Sequence, residues 1–163
     1  TAMYDASEGE LIQPTNMLRL KVGGGRLDMA AIAKAEAALK SLSGNFAEWL
    51  GDEIGKLEAA RVRTRANGMG GADGEALYIH AHDLKGLGGT YEFPLITRLA
   101  GSLCRLIEDP ASRAAAPAAL IDAHINAIRA SLRDNVRNDD DPTVKALAVG
   151  LETSVARFAP QDA

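Results

Sequence analysis

Aromatic side chains are scarce: three Phe, three Tyr and one Trp, 4 % of 163 residues. Strands favour aromatic and β-branched residues, so this shortage argues against a β-sandwich or barrel. Cysteine is scarcer still. Cys104 stands alone, which excludes an internal disulfide and a thiolate metal site, and a reducing, cytoplasmic setting is expected. Excess positive charge is missing too. The formal net charge is −4, and an acidic chain repels a phosphate backbone, so no nucleic-acid partner is expected. No apolar run approaches the ~18 residues that a membrane-crossing helix needs, so no membrane role is expected. Thr1 to Gln13 lacks the basic-then-apolar order of a secretory leader.

What is abundant is Ala and Leu at helical spacing, in a chain that is 47 % hydrophobic and 25 % charged. Residues 1–26, interrupted by Pro14 and closed by Gly23-Gly24-Gly25, read as an N-terminal arm ahead of one helical domain over 27–163. A first helix is expected over 28–42, with Ile32, Ala35, Leu39 and Leu42 on one stripe, and a break at Ser43-Gly44. A second follows over 45–66, striped by Phe46, Leu50, Ile54 and Leu57 and stopped by Asn67-Gly68. Arg61, Arg63 and Arg65 near its end suit the helix dipole. Further helices are expected over 74–91, over 94–109 with Pro94 in the first turn, from Pro117 through Leu132, and after the acidic loop Asn138–Pro142, with Val144, Leu147, Leu151, Val155 and Phe158 at helical spacing. No stretch holds a period of two. The fold expected is all-α, an antiparallel four-helix bundle with additional N- and C-terminal helical elements.

The segment Ala76–Pro94, ALYIHAHDLKGLGGTYEFP, stands apart. At ~100° per residue, Leu77, His80, Leu84, Leu87 and Tyr91 share a core face, and His82 lies about 200° from Leu84, pointing outward. Around His82 the outer face carries Lys85, Gly86, Gly89 and Phe93, with Tyr78 and Ile79 a turn earlier. An exposed helix face is ordinarily Glu, Lys, Gln or Ala. Each interior Gly costs about 0.5–1 kcal/mol relative to Ala, so Gly86, Gly88 and Gly89 together cost about 2–3 kcal/mol. Sacrificed propensity of that size points to tight packing or to function. A histidine that accepts a phosphoryl group has to be reachable by a second protein. Missing side chains beyond it leave room for that protein to close in, and a cation at i+3 can balance the phosphoryl charge. Imidazole suits the task, since one ring nitrogen is nucleophilic near neutral pH while the other holds a hydrogen bond.

The run His82-Asp83-Leu84-Lys85-Gly86 resembles the H-x-L-K-G signature of histidine phosphotransfer (HPt) domains. The resemblance covers roughly Leu77–Glu108, and it departs from the family pattern at Leu87 and Glu92, where small residues and Gly are usual. It implies that His82 is phosphorylated and that Lys85 assists it. Gly86 and Gly89 would give clearance, and Tyr78, Ile79 and Phe93 would offer apolar docking contacts. The implied function is a phosphorelay intermediary that takes a phosphoryl group from one receiver-domain aspartate and passes it to another. Its partners would be response-regulator receiver domains, and a hybrid histidine kinase is a further candidate. The chain would bind no cofactor of its own, Mg²⁺ coming from the receiver. Neither a Walker-type loop nor a kinase Gly-rich loop is present, so no ATP-dependent kinase activity is expected.

Other readings compete. His80 and His82, two apart on a helix, face apart and cannot share a metal, so no metal site is expected. His80 and His124 read as core histidines and Cys104 as structural. Gly88 points nearer the core, where it would serve close helix approach. Gly86-Leu87-Gly88-Gly89 also fits the G-x-x-G clamp of KH-type RNA-binding modules, which requires neighbouring strands. The principal alternative is a helical dimerisation or scaffold domain without chemistry.

Overall fold

The structure, a computed structural model, describes residues 28–159; the expected arm lies outside them. It is all-helical over these residues: α1 Met29–Asn67, α2 Ala72–Thr90, α3 Pro94–Leu106, α4 Pro110–Ala115, α5 Ala118–Arg133 and α6 Pro142–Phe158. No helix among the described residues is long and apolar enough to cross a membrane.

The expected break at Ser43-Gly44 does not occur, and α1 runs through it unbroken. A Ser and a Gly inside a helix together cost only about 1–1.5 kcal/mol, which a helix packed from Leu50 onward withstands. By compactness the chain divides into two units between Leu42 and Ser43, inside α1. In the first unit the turns over 29–42 are exposed throughout, including the predicted stripe of Ile32, Ala35, Leu39 and Leu42.

In the second unit the core follows the helical periods closely. Leu50, Ile54 and Leu57 of α1, Leu77 and Leu84 of α2, Leu95, Leu99, Leu103 and Leu106 of α3, and Ile121, Ile125 and Ile128 of α5 are buried. Helix α3 lies against α2, α5 and α6. On α6 the buried line is Ala148, Leu151 and Val155; Leu147 and Phe158, which share the helical spacing, are exposed. Helix α4 was not anticipated. The Asp109-Pro110 pair, read as the end of the fourth helix, starts a new one: the Asp109 carboxylate accepts the Ser112 N–H at 2.8 Å and Pro110 takes the first turn.

The arginines of α1 do more than face the dipole. Arg61 is buried and its Nε meets Asp122 of α5 at 2.7 Å, Arg65 reaches the same carboxylate at 2.8 Å, and Arg63 lies 3.7 Å from Asp73. On α3, Arg98 grips Glu152 of α6 through two bonds of 2.8 Å and Asp139 through a third.

Candidate functional site

Helix α2 carries the candidate residues, and its inward face is fixed by Leu77, Ala81, Leu84 and Gly88, all buried. That register turns His82 outward: it is exposed, as are Asp83, Lys85, Gly86 and Gly89. Tyr78 is half-buried, its ring centroid 6.0 Å from that of His82, and Ile79 is exposed. The outward imidazole, the lysine one turn on and the side-chain-free positions are thus on one helix, in the arrangement the spacing predicts.

The three glycines serve two different purposes. A Cβ on Gly86 would meet nothing within 4 Å, and one on Gly89 only the Thr97 hydroxyl at an ordinary 3.7 Å. Packing therefore does not require glycine at either position. Gly88 is the opposite case, since a Cβ there would lie 2.6 Å from both the backbone nitrogen and the Oγ1 of Thr97. The close approach lets the Thr97 hydroxyl enter the turn that follows His82. It accepts the Gly89 N–H and donates to the Lys85 carbonyl, both at 2.8 Å. One side chain of α3 thereby ties together the two ends of the helical turn that holds Lys85.

The stem of Lys85 runs beside Gly101 of α3; a Cβ there would sit 3.8–4.0 Å from three of its carbons. Among the described residues no carboxylate lies within salt-bridge distance of its ammonium. Burial pushes the Cys104 thiol up to about 11, with Lys85 opposing the shift. Cys104 is a buried, protonated core residue and not a nucleophile.

Phe93 does not join the exposed face. It is 1 % exposed, caps the start of α3, and lies under the Arg137 guanidinium, 4.5 Å from the ring centroid. The reason is that α2 ends at Thr90, so the helical extrapolation that put Phe93 beside His82 fails. Glu92 makes the turn, with φ of +69°, at the position where the family resembled has Gly.

His80 is half-buried with an unpartnered Nδ1. His124 is fully buried: Nδ1 donates to the Leu120 carbonyl and Nε2 accepts the Ser102 hydroxyl, both at 2.8 Å. The Ser–His contact has the spacing of a nucleophile and its base, but Ser102 is itself 4 % exposed and a substrate has no approach to it. Among the described residues no cluster of three metal-ligating side chains occurs. The Gly86-Leu87-Gly88-Gly89 run is helical, and among the described residues no strand lies beside it, the neighbour that a KH-type clamp requires.

Sequence reasoning missed what surrounds His82 on the α1 side. A shallow hollow of about 400 Å³ beside it is lined by Glu53, His82, Asp83, Gly86 and Leu87. Glu53 precedes the buried Ile54 on α1, and only the pairing of α1 with α2 brings it to the histidine. Comparison with models of known families, with characterised proteins and with solved structures gives no match. A function has to come from the chemistry of the site itself.

Proposed function

We propose that the chain is a phosphorelay intermediary of the histidine phosphotransfer kind, carrying a phosphoryl group on His82. The observation that carries this reading is an exposed imidazole followed one turn later by Gly86, a helical glycine that packing does not need. Such a glycine costs stability and leaves space, and space beside a surface histidine is what a second protein's active site requires.

In this reading the second half of α1 with α2, α3 and α5 makes an antiparallel four-helix bundle, and α6 adds to it. A ring nitrogen of His82 attacks the phosphorus of a receiver's aspartyl phosphate. The N–P bond forms as the P–O bond to the aspartate breaks, and the carboxylate leaves. The reverse step on a second receiver discharges the protein. Lys85 balances charge on the phosphoryl oxygens, and electrostatics carries most of the catalysis, as is usual for phosphoryl transfer. The receiver supplies Mg²⁺. Tyr78 and Ile79 offer apolar contact to it. Partners would be receiver domains, free or joined to a hybrid kinase, in the cytoplasm.

The test is incubation with a panel of phosphorylated receiver domains. Label should pass to this chain, be lost in acid and survive alkali, as a nitrogen-linked phosphoryl group does. His82→Ala should abolish uptake with helicity intact. Undiminished labelling of that variant would refute the assignment.

A further inference from the structure

From the groove that leads away from His82, we infer that the receiver docks along the α1–α2 seam as well as over the histidine, and that its contacting surface is basic with an apolar anchor. The inference rests on the proposed phosphotransfer reading and adds where, and by what chemistry, the partner is chosen.

The hollow beside His82 continues into a second, of about 500 Å³, lined by Trp49, Asp52, Glu53, Lys56, Leu87 and Tyr91. The two share Glu53 and Leu87, so they form one trough from the imidazole to the end of α2. Its far end is aromatic. Phe46, Trp49 and Tyr91 stack within 5.1–5.9 Å of one another, centroid to centroid, yet Trp49 remains 42 % exposed. A large aromatic half-open to water, held in place by two others, is the kind of rigid anchor on which interfaces concentrate their energy.

The walls are acidic. Asp52, Glu53 and Asp83 face a single ammonium, Lys56, which is tied to Glu53 at 2.8 Å and held above its ordinary pKa chiefly by that carboxylate, with Asp52 and Asp83 adding to the effect. Three carboxylates against one cation leave the trough negative beside a group that must receive a phosphoryl dianion. A partner surface bearing Lys or Arg cancels that field, and an apolar residue on it would seat against Trp49, Tyr91 and Leu87. Charge of this kind sets encounter rate and partner choice more than it sets affinity.

Trp49 is the only tryptophan of the chain, so its emission reports occupancy of the trough. The full-length chain is titrated with tryptophan-free receiver domains, and labelling of His82 is followed in parallel. A receiver that labels His82 should shift Trp49 emission. Asp52→Lys, at an exposed position, should lower the labelling rate at subsaturating receiver by about tenfold and flatten its salt dependence, while the rate at saturation stays within about twofold. Trp49→Ala should lower it similarly. Wild-type labelling with both variants matching it overturns the trough and leaves the phosphotransfer reading standing. Emission shifts without any label overturn the phosphotransfer reading and keep the docking surface. Concentration-dependent emission without receiver assigns the trough to a second copy, and a panel that neither labels nor shifts emission overturns both.

Discussion

Glu92 and the glycines of α2 show how much one position can decide. Glu92 holds a left-handed φ of +69°, which costs a residue with a Cβ about 1–2 kcal/mol. Its side chain pairs with Arg137 only at 3.3 Å and largely in solvent. Glu92→Gly should therefore raise stability by about 0.5–1 kcal/mol, the gain being reduced by the greater freedom of the unfolded chain. Urea denaturation checks it, and a loss would mean the Arg137 contact matters more than the backbone. Gly86→Ala should likewise stabilise by about 0.5–1 kcal/mol, because the new methyl meets only space. Gly88→Ala should destabilise by at least about 1 kcal/mol, since its methyl would have to displace Thr97 backbone. The same denaturation curves separate the two. Helical spacing alone turns Gly88 toward the core and Gly86 and Gly89 outward; the approach of Thr97 on α3 shows what the bare core-side position accommodates.

Among elements, those with a strong apolar period were legible in sequence. The Leu stripe of α3 and the Ile stripe of α5 lie where a 3.6-residue repeat puts them, and the outward turn of His82 follows from the inward turn of Leu84. The failures cluster at ends and at helix pairings. Asp109-Pro110 carries both stop and start signals, and the short α4 turns on which one wins. Phe93 was projected along a helix that had already ended. It is instead a core residue of the α2–α3 link, pinned by Arg137, whose carbonyl also accepts the Leu95 N–H at 2.8 Å. Phe93→Ala should cost about 3–5 kcal/mol, read as a lower thermal or urea midpoint; a cost below 1 kcal/mol would contradict its burial. The exposure of Ile32, Leu39 and Leu42 shows the limit of a stripe: a period tells which residues share a face, and says nothing of what covers it.

For the whole molecule, acid sensitivity should come in part from His124. Burial, partly opposed by its bond to Leu120 and by Glu152, holds this imidazole below its ordinary value of 6.5. Above 6.5 it is neutral folded or unfolded and adds no pH dependence. Below 6.5 the unfolded chain takes up a proton that the folded chain resists, so stability should fall as the solution is acidified through that value towards the depressed folded one. Urea midpoints should drop between neutral and mildly acid pH, and His124→Gln should lessen the drop; an unchanged slope would exclude the histidine as its source. In the proposed function charge acts differently, around an exposed imidazole at the end of an acidic trough. The candidate residues on α2 could be grouped from the sequence because they share one helix, whereas Trp49, Asp52 and Glu53 come beside them only once α1 lies alongside. The most direct measurement is mass-spectrometric localisation of the phosphoryl group after transfer from a receiver, under alkaline conditions that preserve it. The account predicts one group, on the imidazole of His82. A group found on His80, or a chain that emerges unmodified from every receiver, would contradict it.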